Sequence, residues 1–407
     1  MLRALRNRDL LLLICGQAVS QVGDGIFGVA LAWRVYQSYS SPAALSVVGI
    51  AFFVPRLLVT IAGGVLSDRF ERRWTMVAAD AGRAIAVAVL AAISLNAQGE
   101  LIAIVVLVAF NGVTGALFGP AESALLPEIV SPDDLGRANS LRTIVSPIAQ
   151  AVVGPALGGA IIANFGTPAA FWTDSATFVV GIAALVLMRA RPLTEATEHP
   201  SVFAEARQGF AYVASRPWLW GPIVASSLAQ FLYAGPNQAL VPYLVKFELH
   251  ASAAALGIVY TAGGLGTVAA GLLMGRLSRP RHVVVAMVLG WAFGIASLAV
   301  VGISQTVWQA AVAVFVWNLL LWSGEILWFT LLGLTVPNQL RGRVSSIDFL
   351  GSYWMIPLSM ALTGPAAAIL GPRTVLVGAG LGGAAAVLLT LAVPGVRKPK
   401  YLSEAAR

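Results

Sequence analysis

The sequence has few charged residues, and this scarcity excludes a soluble globular protein. Only 11% of its 407 residues are charged, whereas 58% are hydrophobic and the mean hydropathy is +0.82. This composition is typical of a polytopic membrane protein. In lipid the backbone must satisfy its own hydrogen bonds, which allows helices or a closed barrel, and the apolar runs are too long for barrel strands. We therefore predict an all-α membrane protein.

Cysteine and histidine are scarce as well, and a phosphate-binding loop is missing. The single cysteine, Cys15, excludes an intramolecular disulfide and lies in an apolar run, where it would pack as a small side chain. The three histidines, His199, His250 and His282, lack metal-ligand spacing. No G-x-x-x-x-G-K-[ST] pattern occurs, which argues against built-in ATP hydrolysis. We expect a protein without a metal or cofactor that is not an enzyme.

Apolar runs long enough to cross a bilayer recur along the whole chain. A span needs about 20 apolar residues, and the runs predict twelve transmembrane helices. Their centres lie near residues 23, 55, 85, 113, 150, 178, 231, 264, 292, 321, 356 and 383.

The distribution of basic residues predicts how the chain is oriented. If both chain ends lie inside the cell, nearly all loop arginines and lysines are cytoplasmic, and only Lys246 and Arg373 fall outside. Cytoplasmic loops of membrane proteins are enriched in positive charge, so we expect an N-in, C-in topology. The net charge of +8 then reflects topology, because it forms no basic patch of the kind that binds nucleic acid.

A polar stretch divides the chain almost in half, and the two halves resemble each other. We predict an N-terminal six-helix bundle (1–188), a cytoplasmic linker (189–217) and a C-terminal six-helix bundle (218–407). In the linker, Phe203 and Phe210 against Glu205 and Arg207 predict an amphipathic helix at the membrane surface. Gly-Pro pairs recur at 154 and 364, and Pro-Glu at 127 corresponds to Pro-Asn at 337 with the same offset, which indicates duplicated halves.

A short charged string lies between the second and third predicted helices, over residues 64–73. It resembles the signature loop of the major facilitator superfamily, G-x-L-a-D-r-x-G-r-k, with Glu71 in place of the second glycine. Asp68 can accept hydrogen bonds at a helix end and attract Arg72. By this resemblance a conformational latch would consist of Gly64, Asp68, Arg69, Arg72 and Arg73.

A second motif lies in the fifth predicted helix. The run Gly154-Pro155-x-x-Gly158-Gly159 resembles the fifth-helix motif of the superfamily's proton-coupled drug antiporters. Glycines allow helices to approach closely, and Pro155 would bend its helix and free a carbonyl group.

Further residues place the resemblance within one branch of that superfamily. With Arg8-Asp9, Gly23-Asp24, Trp33 and a Glu-His-Pro at 198–200, the chain looks most like the enterobactin-exporter and macrolide-efflux branch. The resemblance implies two pseudo-symmetric six-helix bundles in the bacterial inner membrane that export siderophores or hydrophobic drugs. Nothing in the sequence demands more than a monomer.

Carboxylates inside apolar runs are candidates for proton coupling, because charge at the bilayer centre costs at least about 2.5 kcal/mol. Asp24 lies about 20 Å into the first predicted span and can pair with Arg56 of the second, which favours a structural or switching role. Glu325 has no basic residue at similar depth in its own or adjacent spans. We predict Glu325 as the acid that takes up and releases protons, with Asp24 second; the alternative is a Glu325 that only stabilises its helix.

Charged residues within a few turns of predicted cytoplasmic helix ends form a further group. We predict an inner gate of ion pairs that break and re-form between states; the alternative is interfacial snorkelling. The group consists of Asp80, Arg83, Glu122, Arg142 and Asp348.

Aromatic residues could form the walls of a substrate cavity in the C-terminal half. Anchoring at the lipid interface is the alternative for any one of them. The candidates are Phe231, Tyr233, Trp317, Trp322, Trp328, Tyr353 and Trp354.

Together these patterns predict a secondary transporter that works by alternating access and exports a hydrophobic or siderophore-like small molecule in exchange for protons. Two alternatives stay open at this point. One is an importer or facilitator with the same fold, and the other is a membrane sensor or assembly partner that moves no solute.

Overall fold

The computed structural model describes residues 7–67, 71–93, 100–189, 202–277, 280, 282–394 and 396, excluding the side chains of 60–67 and 202–206. These ranges are helical and contain no strand. The prediction of an all-α protein is confirmed.

The first part of the chain forms long helices joined by short connections. They are α1 (Arg8–Ser38), α2 (Pro42–Ser67), α3 (Arg72–Ile93), α4 (Glu100–Ile129), α5 (Pro132–Pro147), a π-helical turn (Ile148–Val153) and α6 (Gly154–Val186).

The second part begins with a shorter helix and then repeats the long-helix pattern. Its elements are α7 (Val202–Ala214), α8 (Pro217–Gly235), a π-helical turn (Pro236–Leu240), α9 (Val241–Tyr243), another π-helical turn (Leu244–Glu248), α10 (Ala253–Arg276), α11 (Val283–Ile303), α12 (Val307–Thr335), α13 (Asn338–Tyr353), α14 (Ile356–Leu370), α15 (Pro372–Leu389) and a 3-10 turn (Thr390–Ala392).

Ten helical stretches of the described residues are long and apolar enough to cross a membrane. The longest, Pro132–Val186, has 55 residues and is broken at Gly166, where φ is 81° and the backbone leaves the helical region. Large apolar side chains such as Ile102, Phe165 and Ile369 are at least 75% exposed to the outside of the protein. Lipid, rather than water, suits such a surface.

The chain divides into two compact units. The first comprises Met1–Ala196 and Val245–Gly264, and the second comprises Thr197–Leu244 and Leu265–Arg407. The beginning of α10 therefore belongs to the first unit, although the sequence analysis predicted a boundary in the linker at 189–217.

Glycines let α1 pack closely against α6 in the first unit. A Cβ built on Gly154 would lie 2.6 Å from the Cα atom of Gly25, and one built on Gly158 would lie 3.0 Å from that of Ile26. A side chain at 154 would collide with the α1 backbone and one at 158 would be tightly packed against it, so two residues of the predicted fifth-helix motif bring the helix backbones together.

Pro155 follows a π-helical turn, and this turn explains how the helix accommodates it. A proline inside a helix removes one backbone donor, and the wider turn over Ile148–Val153 shifts the hydrogen-bond pattern just before it. The backbone oxygen of Val152 accepts a hydrogen bond from the Thr261 hydroxyl of α10 at 3.3 Å. Gly264, one turn later, lies against the backbone of Ala151.

Replacing Gly264 with alanine is expected to lower the free energy of unfolding by about 1–3 kcal/mol, a typical cost of overpacking. The added Cβ would lie 2.0 Å from the backbone oxygen of Ala151, which cannot rotate away. Gly271→Ala on the same helix is the matched control, because nothing lies within 4 Å of its Cβ position. Unfolding of the purified proteins in detergent measures both, and equal stabilities would contradict the close contact.

The second unit contains the predicted linker helix. Here α11 packs against α12 and α15, and α8 packs against α14 and α15. Helix α7 contacts α13, where the Arg343 guanidinium donates to the side-chain oxygen of Gln208 at 2.6 Å. Val213 is buried against the protein, whereas Phe210 is 66% exposed and could contact a membrane surface. The side chains of Phe203 and Glu205 lie outside the described set.

Candidate functional site

A group of buried and half-buried charged residues lies inside the first unit. The Arg83 guanidinium of α3 forms an ion pair with the Asp24 carboxylate of α1, and one of its nitrogens lies 3.6 Å from Asp80 Oδ1. The same guanidinium lies 4.3 Å from the ring centre of Phe178 in α6, in cation–π geometry. We name Asp24, Asp80, Arg83 and Asp174 the Arg83 cluster.

The structure shows a partner of Asp24 in addition to the predicted Arg56. Its direct partner is Arg83, which the sequence analysis placed in the inner gate. Arg56 interacts with Asp24 electrostatically, and its guanidinium lies 5.4 Å from the ring centre of Phe52. The residue number gives the depth of a side chain along its helix. It does not give the direction in which the side chain points around the helix axis, and the pairing of Asp24 with Arg83 depends on that direction.

Sequence reasoning missed Asp174 altogether. Its residue is 1% exposed, and neither carboxylate oxygen has a hydrogen-bond partner in the described part of the chain. A Cβ built on Gly23 would lie 2.3 Å from its Oδ1 atom, so the carboxyl group touches α1 beside Asp24. The sequence did contain a signal for it, because Asp174 is an acidic residue within the sixth predicted apolar run, where charge is costly.

The predicted inner gate separates into distinct pairs. Arg83 and Asp80 belong to the Arg83 cluster, while Arg142 Nε lies 3.7 Å from Glu122 Oε1 elsewhere in the first unit. Asp348 belongs to the second unit and accepts a hydrogen bond from the indole nitrogen of Trp328 at 3.0 Å. Glu122 also interacts electrostatically with Asp80, and the role of the five residues as an inner gate stays a prediction.

The described latch residues attach α3 to its neighbours. Arg72 forms an ion pair with Glu128 of α4, and Arg73 donates to the backbone oxygen of Met188 at 2.6 Å. Asp68 and Arg69 lie outside the described residues, and Gly64 lies in the part of α2 described by its backbone alone. The predicted attraction between Asp68 and Arg72 thus stays a prediction.

Glu325 of α12 lies among phenol groups and a second carboxylate in the second unit. It interacts electrostatically with Tyr233 of α8, and with Tyr353 and Asp348 of α13. Across the described ranges, Glu325 forms no ion pair with a basic side chain. We name Glu325, Tyr233, Trp317, Tyr353 and Asp348 the Glu325 site.

The aromatic candidates divide into two groups. Tyr233 and Trp317 are buried and contact each other edge to face, with ring centres 5.3 Å apart. Trp322 and Trp354 are 42% and 56% exposed, as expected of lipid-facing anchors. Phe231 is partly buried, and Tyr353 contacts Phe349 at 4.9 Å.

Trp328 belongs to a tryptophan cluster that the sequence analysis did not predict. Its ring centre lies 6.1 Å from that of Trp291 and 6.5 Å from that of Trp218. Because the same indole also binds Asp348, the cluster fixes the position of a carboxylate next to Glu325.

An apolar pocket of about 630 Å³ adjoins α12. It is lined by the end of α10, by α11 and by the stretch of α12 that flanks Glu325 in sequence, and Ser323 and Thr330 are among its few polar residues. Its size and lining suit a hydrophobic small molecule or a lipid chain.

Comparison with known proteins agrees with this architecture. The family model described as Major Facilitator Superfamily matches residues 13–360. The chain is 27% identical to the multidrug efflux pump Tap of Mycolicibacterium fortuitum, with 89% of this chain and 90% of that protein covered. It is 26% identical to the enterobactin exporter EntS of Citrobacter koseri, with 81% and 78% covered. A bacterial homologue of the iron transporter ferroportin, solved in an inward-facing state, shares the fold with a TM-score of 0.74, 15% identity and coverage of 94% and 98%.

Proposed function

Because the chain belongs to the major facilitator superfamily, we propose that it is a proton-coupled exporter of a hydrophobic or siderophore-like small molecule. The observation that carries this proposal is Glu325, a carboxylate inside a membrane-crossing helix that interacts electrostatically with two tyrosines and forms no ion pair within the described ranges. A carboxylate in such surroundings is retained for function, since burying it is costly.

The proposal includes twelve spans and an N-in, C-in orientation. Two of the spans come from the Pro132–Val186 stretch, which the break at Gly166 divides. Another is Pro217–Glu248, where α8, α9 and the π-helical turns form one continuous run. The excess of basic residues in loops on one side supports the orientation. Relatives from bacteria support the inner membrane as location.

The Glu325 site has the composition needed to couple a proton to an amphiphilic substrate. Tyr233 and Trp317 are buried against each other in this structure, and in a state that admits substrate their rings would form the wall on which an apolar or cationic compound stacks. A proton on Glu325 removes one negative charge from the site; when the proton leaves, the added negative charge favours a positively charged or hydrogen-bond-donating substrate. Substrate and proton therefore compete, and this competition is the basis of exchange.

The motif residues would provide the moving parts. Arg72 and Arg73 connect α3 to α4 and to the end of α6, so the proposed latch would hold the cytoplasmic ends of these helices. The π-helical turn before Pro155 is a weak point in the regular hydrogen-bond pattern and suits a hinge. Two states that differ at such elements are what alternating access requires.

Accumulation measurements in bacteria that lack their own efflux pumps test the proposal. Cells producing the chain are given tetraphenylphosphonium, a macrolide or a catecholate siderophore, each labelled. We expect lower accumulation of at least one compound than in vector-only cells, and a protonophore should abolish the difference. Higher accumulation would indicate import, and equal accumulation of every compound would favour a sensor or assembly partner.

A further inference from the structure

Asp174 is a buried carboxyl group that the Glu325 mechanism does not use. It lies in the second part of α6, a helix that packs against α1 and α3. The residue is 1% exposed, and both oxygens lack a hydrogen-bond partner among the described residues. The carboxyl group is aimed at α1, where the absence of a side chain at Gly23 makes room for it.

Charged groups face Asp174 from each neighbouring element. Asp24 of α1 and Arg83 of α3 interact with it electrostatically. Asp80 of α3 belongs to the same cluster through Arg83, and Arg56 of α2 acts on Asp24. On α6 itself, the Thr177 hydroxyl donates at 2.7 Å to the backbone oxygen of Asp174 and also faces its carboxyl group.

Arg83 is already occupied by partners other than Asp174. Its guanidinium pairs with Asp24, lies 3.6 Å from Asp80 and covers the Phe178 ring. An ionised carboxylate that is buried without an ion pair of its own carries a large free-energy cost, and among the described residues Asp174 forms none. Protonation removes that cost without any movement of the helices.

We propose that Asp174 carries a proton in this arrangement and is a second proton-exchange site, located in the first unit. This inference rests on the proposed function, because it assigns a second group to the same proton-driven cycle. When the Asp174 O–H bond breaks, its electron pair stays on the carboxylate oxygen and the proton passes to water. The new carboxylate then competes with Asp24 for Arg83.

The competition links protonation to helix contacts. Phe178 lies one helical turn after Asp174, so the ring that now covers Arg83 is on the same helix as the competing carboxylate. With Asp174 protonated, the ion pair of Arg83 connects α3 to α1; with Asp174 ionised, that ion pair connects α3 to α6, where Arg83 already covers Phe178. The proton on Asp174 thereby decides which pair of helices the guanidinium holds together.

Infrared spectroscopy of the purified protein in lipid tests this without any transported compound. Protonated carboxyl groups give a C=O stretch that disappears on ionisation, and it is followed as the pH is raised. We expect the Asp174→Asn variant to lack one band that the parent protein shows at neutral pH. Ser175→Ala is the matched control, because it removes a neighbouring buried hydroxyl that donates to Ala84 and leaves every carboxyl group in place.

Asp24→Asn provides a second test that does not need the Asp174 variant to fold. Removing the Asp24 charge frees Arg83 for Asp174, so the same band should be lost at a lower pH than in the parent protein. Identical spectra in the parent, Asp174→Asn and Asp24→Asn proteins would overturn the inference.

These spectra separate the inference from the proposed function. Loss of the band in a protein that moves no compound would support Asp174 as a proton site while contradicting export. Substrate-driven proton release that is unchanged in Asp174→Asn and lost in Glu325→Gln would overturn the role of Asp174 in the cycle and leave the proposed function standing.

Discussion

Replacing Glu325 with glutamine is expected to abolish proton-driven transport and to leave substrate exchange intact. The amide has the shape of a protonated carboxyl group and cannot release a proton. Position 325 would stay uncharged at every pH, so a pH gradient could not change its protonation and could not drive transport through it. Substrate bound through Tyr233 and Trp317 could still cross in either direction when labelled and unlabelled compound are on opposite sides.

Proteoliposomes distinguish these two activities. Transport driven by an imposed pH gradient should fall to the level of protein-free vesicles in Glu325→Gln, while exchange at equal pH stays near that of the parent protein. Asp133→Asn is the matched control, since that carboxylate is exposed at the first turn of α5. Gradient-driven transport by the glutamine variant at the parent rate would remove Glu325 from the proton path.

Replacing Arg83 with methionine is expected to destabilise the first unit by about 3–5 kcal/mol, the usual cost of removing one partner from a buried ion pair. The change leaves Asp24 and Asp80 without their guanidinium and also removes the cation over Phe178. Denaturant unfolding of the detergent-solubilised protein measures the loss. An unchanged midpoint would show that the pair contributes nothing to stability.

A second substitution shows whether the loss comes from the uncompensated charge. Asp24→Asn in the Arg83→Met background should recover part of the stability, because it removes one buried carboxylate that has lost its partner. Arg137→Met is the matched control, because it also removes an arginine from an ion pair. Its pair with Asp134 lies at the surface, where the arginine side chain is 48% exposed. Exposed pairs contribute about 0–1 kcal/mol, so a small effect is expected there.

The fold could be predicted from the sequence because hydropathy and the order of the motifs can be read along the chain without knowledge of its packing. Apolar runs predicted the long helices, and the Gly-Pro run at 154 identified the place where α6 approaches α1. The π-helical turns were not predicted, since they depend on how the backbone adjusts around Pro155 and Pro236. The inclusion of Val245–Gly264 in the first unit depends on packing between distant parts of the chain. A single boundary in the linker cannot describe a unit made of two separate stretches.

The candidate site could be predicted from the sequence only in part, because side-chain directions are not visible in it. Glu325 was identified as a carboxylate in an apolar run, and that property is visible in the sequence. The pairing of Asp24 with Arg83 and the bond between Trp328 and Asp348 depend on rotation about the helix axes, for which residue spacing across separate helices gives no information. Asp174 is likewise an acidic residue in an apolar run and was overlooked, whereas its lack of a hydrogen-bond partner is visible only in the structure.

Proton release in energised inverted vesicles is the measurement that tests the central claim most directly. A pH-sensitive dye reports the internal pH of vesicles containing the parent protein while the compound identified by the accumulation assay is added. The account predicts that the compound causes protons to leave the vesicle lumen, and that vesicles with Glu325→Gln show no response. Uptake of the compound with no change in internal pH, or equal responses from both proteins, would contradict proton exchange through Glu325.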